Sequence, residues 1–123
     1  MARNGLIVDD SNVMRKIVMR NLRNTGVAFD KIFEASDGLE ALKVLEQNEI
    51  NVIFSDVNMP NMGGLEMLKE IEKKYDITKI KVIMVTTDGA EETIKEAMDH
   101  GAQGYIKKPF TPAQMVEYLQ DML

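Results

Sequence analysis

The chain has 123 residues, of which 45% are hydrophobic and 28% charged, with a formal net charge of −5. That length suits one domain with a proper core, and the acidic balance, without any dense basic run, excludes a module that binds nucleic acid through bulk electrostatics. No apolar run approaches the roughly 20 residues needed to span a bilayer, the opening residues do not read as a secretory signal, and the absence of cysteine excludes disulfide and thiolate chemistry. Leu6-Ile7-Val8 reads as a first strand, and Asn12 to Asn24 as a helix whose Met14, Ile17, Val18 and Leu22 recur at helical spacing. Ile32-Phe33 marks a second strand, and Asp37 reads as the N-cap of a helix with Leu39, Leu42 and Leu45 on one side. Val52-Ile53-Phe54 is a third strand, and Met67, Leu68 and Ile71 line the helix after the Gly63-Gly64 turn. Ile80 to Val85, the longest apolar run, is predicted to be the most buried strand. Ile94, Ala97 and Met98 define the next helix, Tyr105-Ile106 a short last strand, and Met115, Leu119 and Met122 the core stripe of a closing helix. The ten methionines fall mostly on core-facing helical positions and read as core filling. His100 stands alone, with no cysteine or second histidine to share a metal, and reads as a solvated helix-end residue.

Five strand-helix units in this length predict an α/β fold, a parallel sheet covered on both faces by right-handed crossovers. The informative polar residues fall at strand ends. Asp9 and Asp10 close the first strand, Asp56 the third, Thr86 the fourth, and Lys108 follows the fifth. In a doubly wound sheet, ligands bind beyond the carboxyl ends of the strands. Each residue has a bland alternative: capping for Asp9-Asp10, a loop carboxylate for Asp56, a satisfied strand residue for Thr86, a solvated charge for Lys108. Taken together, four segments deliver three carboxylates, a hydroxyl and an ammonium to one rim. Three carboxylates repel one another and call for a cation. Hard oxygen ligands without His or Cys point to magnesium, and a magnesium site beside a lysine suits a phosphoryl group. Carboxylates serve as nucleophiles in aspartyl-phosphate chemistry, and Asp56 stands alone on the central strand while the paired aspartates read as metal holders.

Leu6-Ile7-Val8-Asp9-Asp10-Ser11, Asp56-Val57-Asn58-Met59-Pro60, Val85-Thr86-Thr87 and Lys107-Lys108-Pro109-Phe110 resemble the hallmark segments of bacterial response-regulator receiver domains. The similarity covers essentially the whole chain, and the stretches from Ser11 to Val18, Asn58 to Leu65 and Gly104 to Thr111 resemble the chemotaxis members of that family. The flavodoxin-like (βα)5 strand order 2-1-3-4-5 is chosen with that family in view, since its members are an example of the order. The resemblance implies one receiver domain over residues 1–123 with no output domain, in the cytoplasm, acting as a monomeric switch rather than an enzyme. It implies Asp56 as phosphoacceptor, with magnesium held by Asp10, Asp56 and the backbone carbonyl of Asn58, and by Asp9 largely through water. Lys108 would contact the phosphoryl oxygens, Thr86 would swing its hydroxyl towards them, and Tyr105 would be the aromatic switch residue that turns inward. Asn58, Thr87 and Asp88 would tune hydrolysis, and the Lys108-Pro109 bond would be cis. Three positions depart from the family pattern. Gly63 replaces a usual aspartate and is expected to loosen the turn after Pro60, Thr87 replaces a small residue, and Gly5 is expected to delay the first strand.

The implied partners are a chemotaxis-type histidine kinase, the flagellar motor switch protein and a phosphatase; a phosphorelay intermediate or a phosphate sink are the alternatives within the family. An aspartyl-nucleophile phosphatase of the haloacid-dehalogenase type would need an acid two positions after the nucleophile, where Asn58 stands. A flavodoxin-type flavin module would need a Ser/Thr/Gly-rich phosphate loop after the first strand, where the two aspartates stand.

Overall fold

A computed structural model describes residues 3–87, 89–108 and 110–120. The elements run β1 (Asn4–Val8), α1 (Asn12–Arg23), β2 (Lys31–Ala35), α2 (Gly38–Gln47), β3 (Val52–Ser55), α3 (Gly64–Lys74), a 3-10 turn (Ile77–Lys79), β4 (Lys81–Thr86), α4 (Glu91–Asp99), β5 (Gly104–Lys107) and α5 (Pro112–Leu119). All strand pairs are parallel, in the order β2-β1-β3-β4-β5.

Side chains alternate across a strand, so each central strand feeds two cores and reads as a continuous apolar run. Leu6, Val8, Ile53, Val82 and Met84 pack with Ala41 and Leu45 of α2, Met67, Leu68 and Ile71 of α3 and Ala97 of α4. Ile7, Val52, Phe54, Ile83, Val85 and Ile106 pack on the opposite face with Val18 and Leu22 of α1 and Met115 and Leu119 of α5. Val82 to Thr86 are all buried, as the length of that run predicts.

Several expectations need correction. Gly5 does not delay the first strand, which begins at Asn4, because the Asn4 N–H donates to Asn51 Oδ1 at 2.9 Å and Asn4 Nδ2 to the Glu49 carbonyl at 2.8 Å. Ile17, Leu39 and Met98 are 39%, 47% and 46% exposed rather than part of the core stripes. Each adjoins a buried residue (Val18, Gly38, Ala97), and neighbours on a helix point about 100° apart, so only one of each pair can face the sheet squarely. His100 caps the C-terminus of α4, but its Nδ1 lies 2.8 Å from Glu72 Oε1, so it also ties α4 to α3. Met122 lies outside the described residues. Among the described residues, no helix is long and apolar enough to cross a membrane.

Candidate functional site

The hydrogen-bond ladder of the sheet runs one residue beyond several strand ends, and those residues form the site. The Asp9 N–H donates to the Ala35 carbonyl at 3.1 Å, the Asp56 N–H to Val8 at 2.9 Å and the Lys108 N–H to Thr86 at 3.0 Å. The backbone positions of two carboxylates and the ammonium are thereby set by the sheet itself. Carboxylate oxygens of Asp9, Asp10 and Asp56 all lie within 4.8 Å of one another. Lys108 Nζ donates to Asp9 Oδ2 at 2.8 Å and to Asp56 Oδ2 at 3.3 Å. Burial alone would push this ammonium down, but the hydrogen bond to Asp9 and the charges of Asp56 and Asp9 more than offset it and hold it above its ordinary value.

The three carboxylates differ. Asp9 is buried and both its oxygens are engaged, Oδ1 by the Ser11 N–H at 2.9 Å and Oδ2 by Lys108. Asp10 is exposed, and Asp56 is intermediate, its Oδ1 accepting from the Val57 N–H at 2.7 Å. On the neighbouring strands, Thr86 is fully buried, and Tyr105 is half-buried with its hydroxyl shielded from solvent. Tyr105 pairs with Met84 and packs in the same core as Met84, and Thr86 lies two residues beyond Met84. Strand alternation therefore puts Thr86 and Tyr105 on one face, diagonally across the β4–β5 pair.

Residues 6–120 match the family of response regulator receiver domains. The chain belongs to that family. A chemotaxis protein CheY homolog of Campylobacter jejuni is 43% identical over 121 residues, which cover 96% of this chain and 90% of that protein. Chemotaxis protein CheY-3 of Vibrio cholerae is 42% identical over 114 residues, covering 93% of this chain and 86% of that one. The solved structure of Vibrio cholerae chemotaxis protein CheY4 matches with a TM-score of 0.85 over the full length of both chains, at 34% identity.

The donor set of this receiver suits magnesium: three carboxylates, no sulfur or imidazole, and an exposed member, Asp10, that leaves room for retained waters. Asn58 is exposed in the β3–α3 loop, Thr87 is exposed just past β4, and Asp88 and Pro109 (with the expected cis bond) lie outside the described residues. Gly63 leaves the start of α3 without a side-chain cap, and the turn is held by its backbone. The Gly64 N–H donates to the Val57 carbonyl at 2.8 Å, Met62 N–H to Pro60 at 2.7 Å and Gly38 N–H to Met62 at 2.9 Å, so the turn is tied at three points. A Cβ on Gly64 would overlap the Asp56 carbonyl oxygen. Gly64→Ala is therefore expected to cost about 1–3 kcal/mol by overpacking, and to displace the Asp56 backbone. A melt paired with phosphodonor labelling checks it; a variant matching the parent in both would show that α3 can retreat freely.

Two further residues support the site, and of these only Ser11, directly before the helix that starts at Asn12, carries a sequence signal of its own, that of an N-cap. Ser11 caps α1 through its Oγ, which accepts from the Met14 N–H at 3.1 Å. Arg15 donates from Nη1 to the Asp9 carbonyl at 2.7 Å while its Nε meets Glu34 Oε1 at 3.1 Å, and so locks the β1–α1 junction that presents Asp9 and Asp10.

Proposed function

We propose that this receiver is a phosphorylation-activated switch in which Asp56 accepts a phosphoryl group from a histidine kinase, in a magnesium-dependent reaction. The observation that supports it is the convergence of three carboxylates within 4.8 Å around a lysine that contacts two of them. One carboxylate oxygen of Asp56 bonds to phosphorus as the bond from phosphorus to its donor breaks, and the electron pair leaves with the donor. Asp10, Asp56 and the Asn58 carbonyl would hold magnesium, and Asp9, whose oxygens are already engaged, would act on it through water. Bound magnesium would supply charge neutralisation for the carboxylates and the incoming phosphoryl oxygens. Lys108 donates to those oxygens from the same side, exchanging part of its bond to Asp56 for one to the phosphoryl group. Thr86 turns its hydroxyl towards the group, and Tyr105, on the same face of the sheet, repacks with it. The chain catalyses its own phosphotransfer and slow dephosphorylation, the latter tuned by Asn58, Thr87 and Asp88, and turns over no external substrate.

Output passes to a partner through the surface of α4, β5 and α5. The chemotaxis names of the relatives favour the flagellar motor switch protein as that partner, in the cytoplasm. The direct test is labelling with acetyl phosphate. Asp56 is expected to be labelled only with magnesium present, and Asp56→Asn to lose the label with its fold intact. Unchanged labelling in Asp56→Asn would place the acceptor elsewhere.

A further inference from the structure

The crown of the β3–α3 loop is seated on the start of α2, a helix to which nothing in the phosphorylation chemistry assigns a part. Asp37 divides its carboxylate between two tasks. Its Oδ1 accepts from the Glu40 N–H at 2.8 Å and caps α2, and its Oδ2 accepts from Asn61 Nδ2 at 2.8 Å. A carboxylate only accepts, so the amide of Asn61 must face it with nitrogen. The Asn61 bond first, and the Glu40 N–H after it, hold the Asp37 carboxyl below its ordinary value, which keeps it ionised and able to serve both donors at neutral pH. Asn61 itself stands at φ 65°, a left-handed conformation that asparagine tolerates better than most residues. Beside it, the Gly38 N–H donates to the Met62 carbonyl at 2.9 Å. A Cβ on Gly38 would lie 2.6 Å from Met62 Cγ and 3.0 Å from the Met62 carbonyl, so glycine lets the loop approach this closely. The other end of the loop is the Asp56 backbone, bonded to β1. Asn58 lies between these two moorings.

We propose that Asp37 and Asn61 are positioning residues for the phosphorylation site: their hydrogen bond seats the loop crown on α2 and so sets the path of the main chain through Asn58. The inference rests on the proposed role of Asn58 and deepens it, because a main-chain ligand can be placed only by fixing the loop that bears it. An outer contact of this kind contributes to metal affinity by holding a ligand in place.

The test uses the whole chain and three variants. Asn61→Gly keeps the left-handed backbone and removes the amide. Asn61→Asp sets carboxylate against carboxylate. Asp37→Asn combined with Asn61→Asp exchanges donor and acceptor, restores the bond, and keeps an oxygen to cap α2. Magnesium affinity is read by titration, and exchange of the Gly38 amide proton is read in metal-free buffer. Both single variants are expected to weaken magnesium binding about tenfold, at the low end for outer-shell contacts. Gly38 exchange should quicken roughly tenfold as the crown opens locally, with the double variant returning towards the parent in both. A parent that binds magnesium and single variants that match it in both readouts would overturn the clamp alone. Loss without rescue in the double variant would also overturn it. A parent that binds no magnesium would overturn the site and the clamp together.

Discussion

Lys108→Met is expected to lower stability in metal-free buffer near neutral pH by about 3 kcal/mol, the lower end of the cost of deleting one partner of a buried ion pair. The side chains of Lys108, Asp9 and Asp56 are 10%, 5% and 14% exposed, so removal of the ammonium leaves two largely buried carboxylates, with Asp10 close by, without their shared counter-charge. The pH dependence has a definite sign. Lys108 is held above its ordinary value of 10.5 in the folded chain, so its contribution is complete below that value and disappears as pH rises through the folded value. The parent should therefore converge on the variant in strongly alkaline buffer and differ most below it. Magnesium should narrow the gap at neutral pH, since binding at 100 times Kd stabilises by about 2.7 kcal/mol and the variant's uncompensated carboxylates gain most from a cation. Labelling by acetyl phosphate should slow as well. Denaturant titrations with and without magnesium check this, and equal metal-free stability at neutral pH would show that solvent already screens the cluster.

Thr86→Ala is expected to separate phosphorylation from output. Thr86 ends β4, is fully buried, and shares its sheet face with Tyr105, whose hydroxyl is shielded from solvent. In the proposed scheme a signal at the rim reaches the α4–β5–α5 surface through an element with two arrangements, a part assigned to this pair. Allosteric couplings run at about 1–3 kcal/mol, so phosphorylation should tighten partner binding by roughly 5–150-fold in the parent. Thr86→Ala should still be labelled at Asp56 but lose most of that gain, whereas Thr86→Ser, which keeps a hydroxyl, should retain more of it. Affinity for the proposed partner, the motor switch protein, measured with and without phosphorylation, decides the matter. An undiminished gain in Thr86→Ala would remove Thr86 from the route.

The strand ends were legible because an apolar run that stops at a charged or polar residue marks where the sheet stops. Asp9 and Thr86 stand at such stops, Asp56 and Lys108 follow one residue later, after Ser55 and Lys107, and parallel topology carries all those ends to one edge. The helical stripes were less legible. Ile17, Leu39 and Met98 fit the helical period as well as their buried neighbours do, and only the angle at which each helix meets the sheet chose between them. Asp37 was readable as a cap because a short carboxylate before a helix satisfies a free N–H.

What the order of residues by itself determined was thus the sheet, its order once the family was seen, and the set of charges delivered to its carboxyl edge, all of which follow from local periodicity and from the points where it breaks. Tertiary structure alone decided how those charges divide their partners. Asp9 and Asp10 are adjacent and chemically identical, yet one is buried with both oxygens engaged and the other is exposed. Arg15 reaches back to the Asp9 carbonyl, and Asn61 crosses to Asp37 from 24 residues away. Such pairings depend on the direction of a side chain leaving a strand or a turn, which is set by the packing of elements distant in the chain, and no local pattern records it.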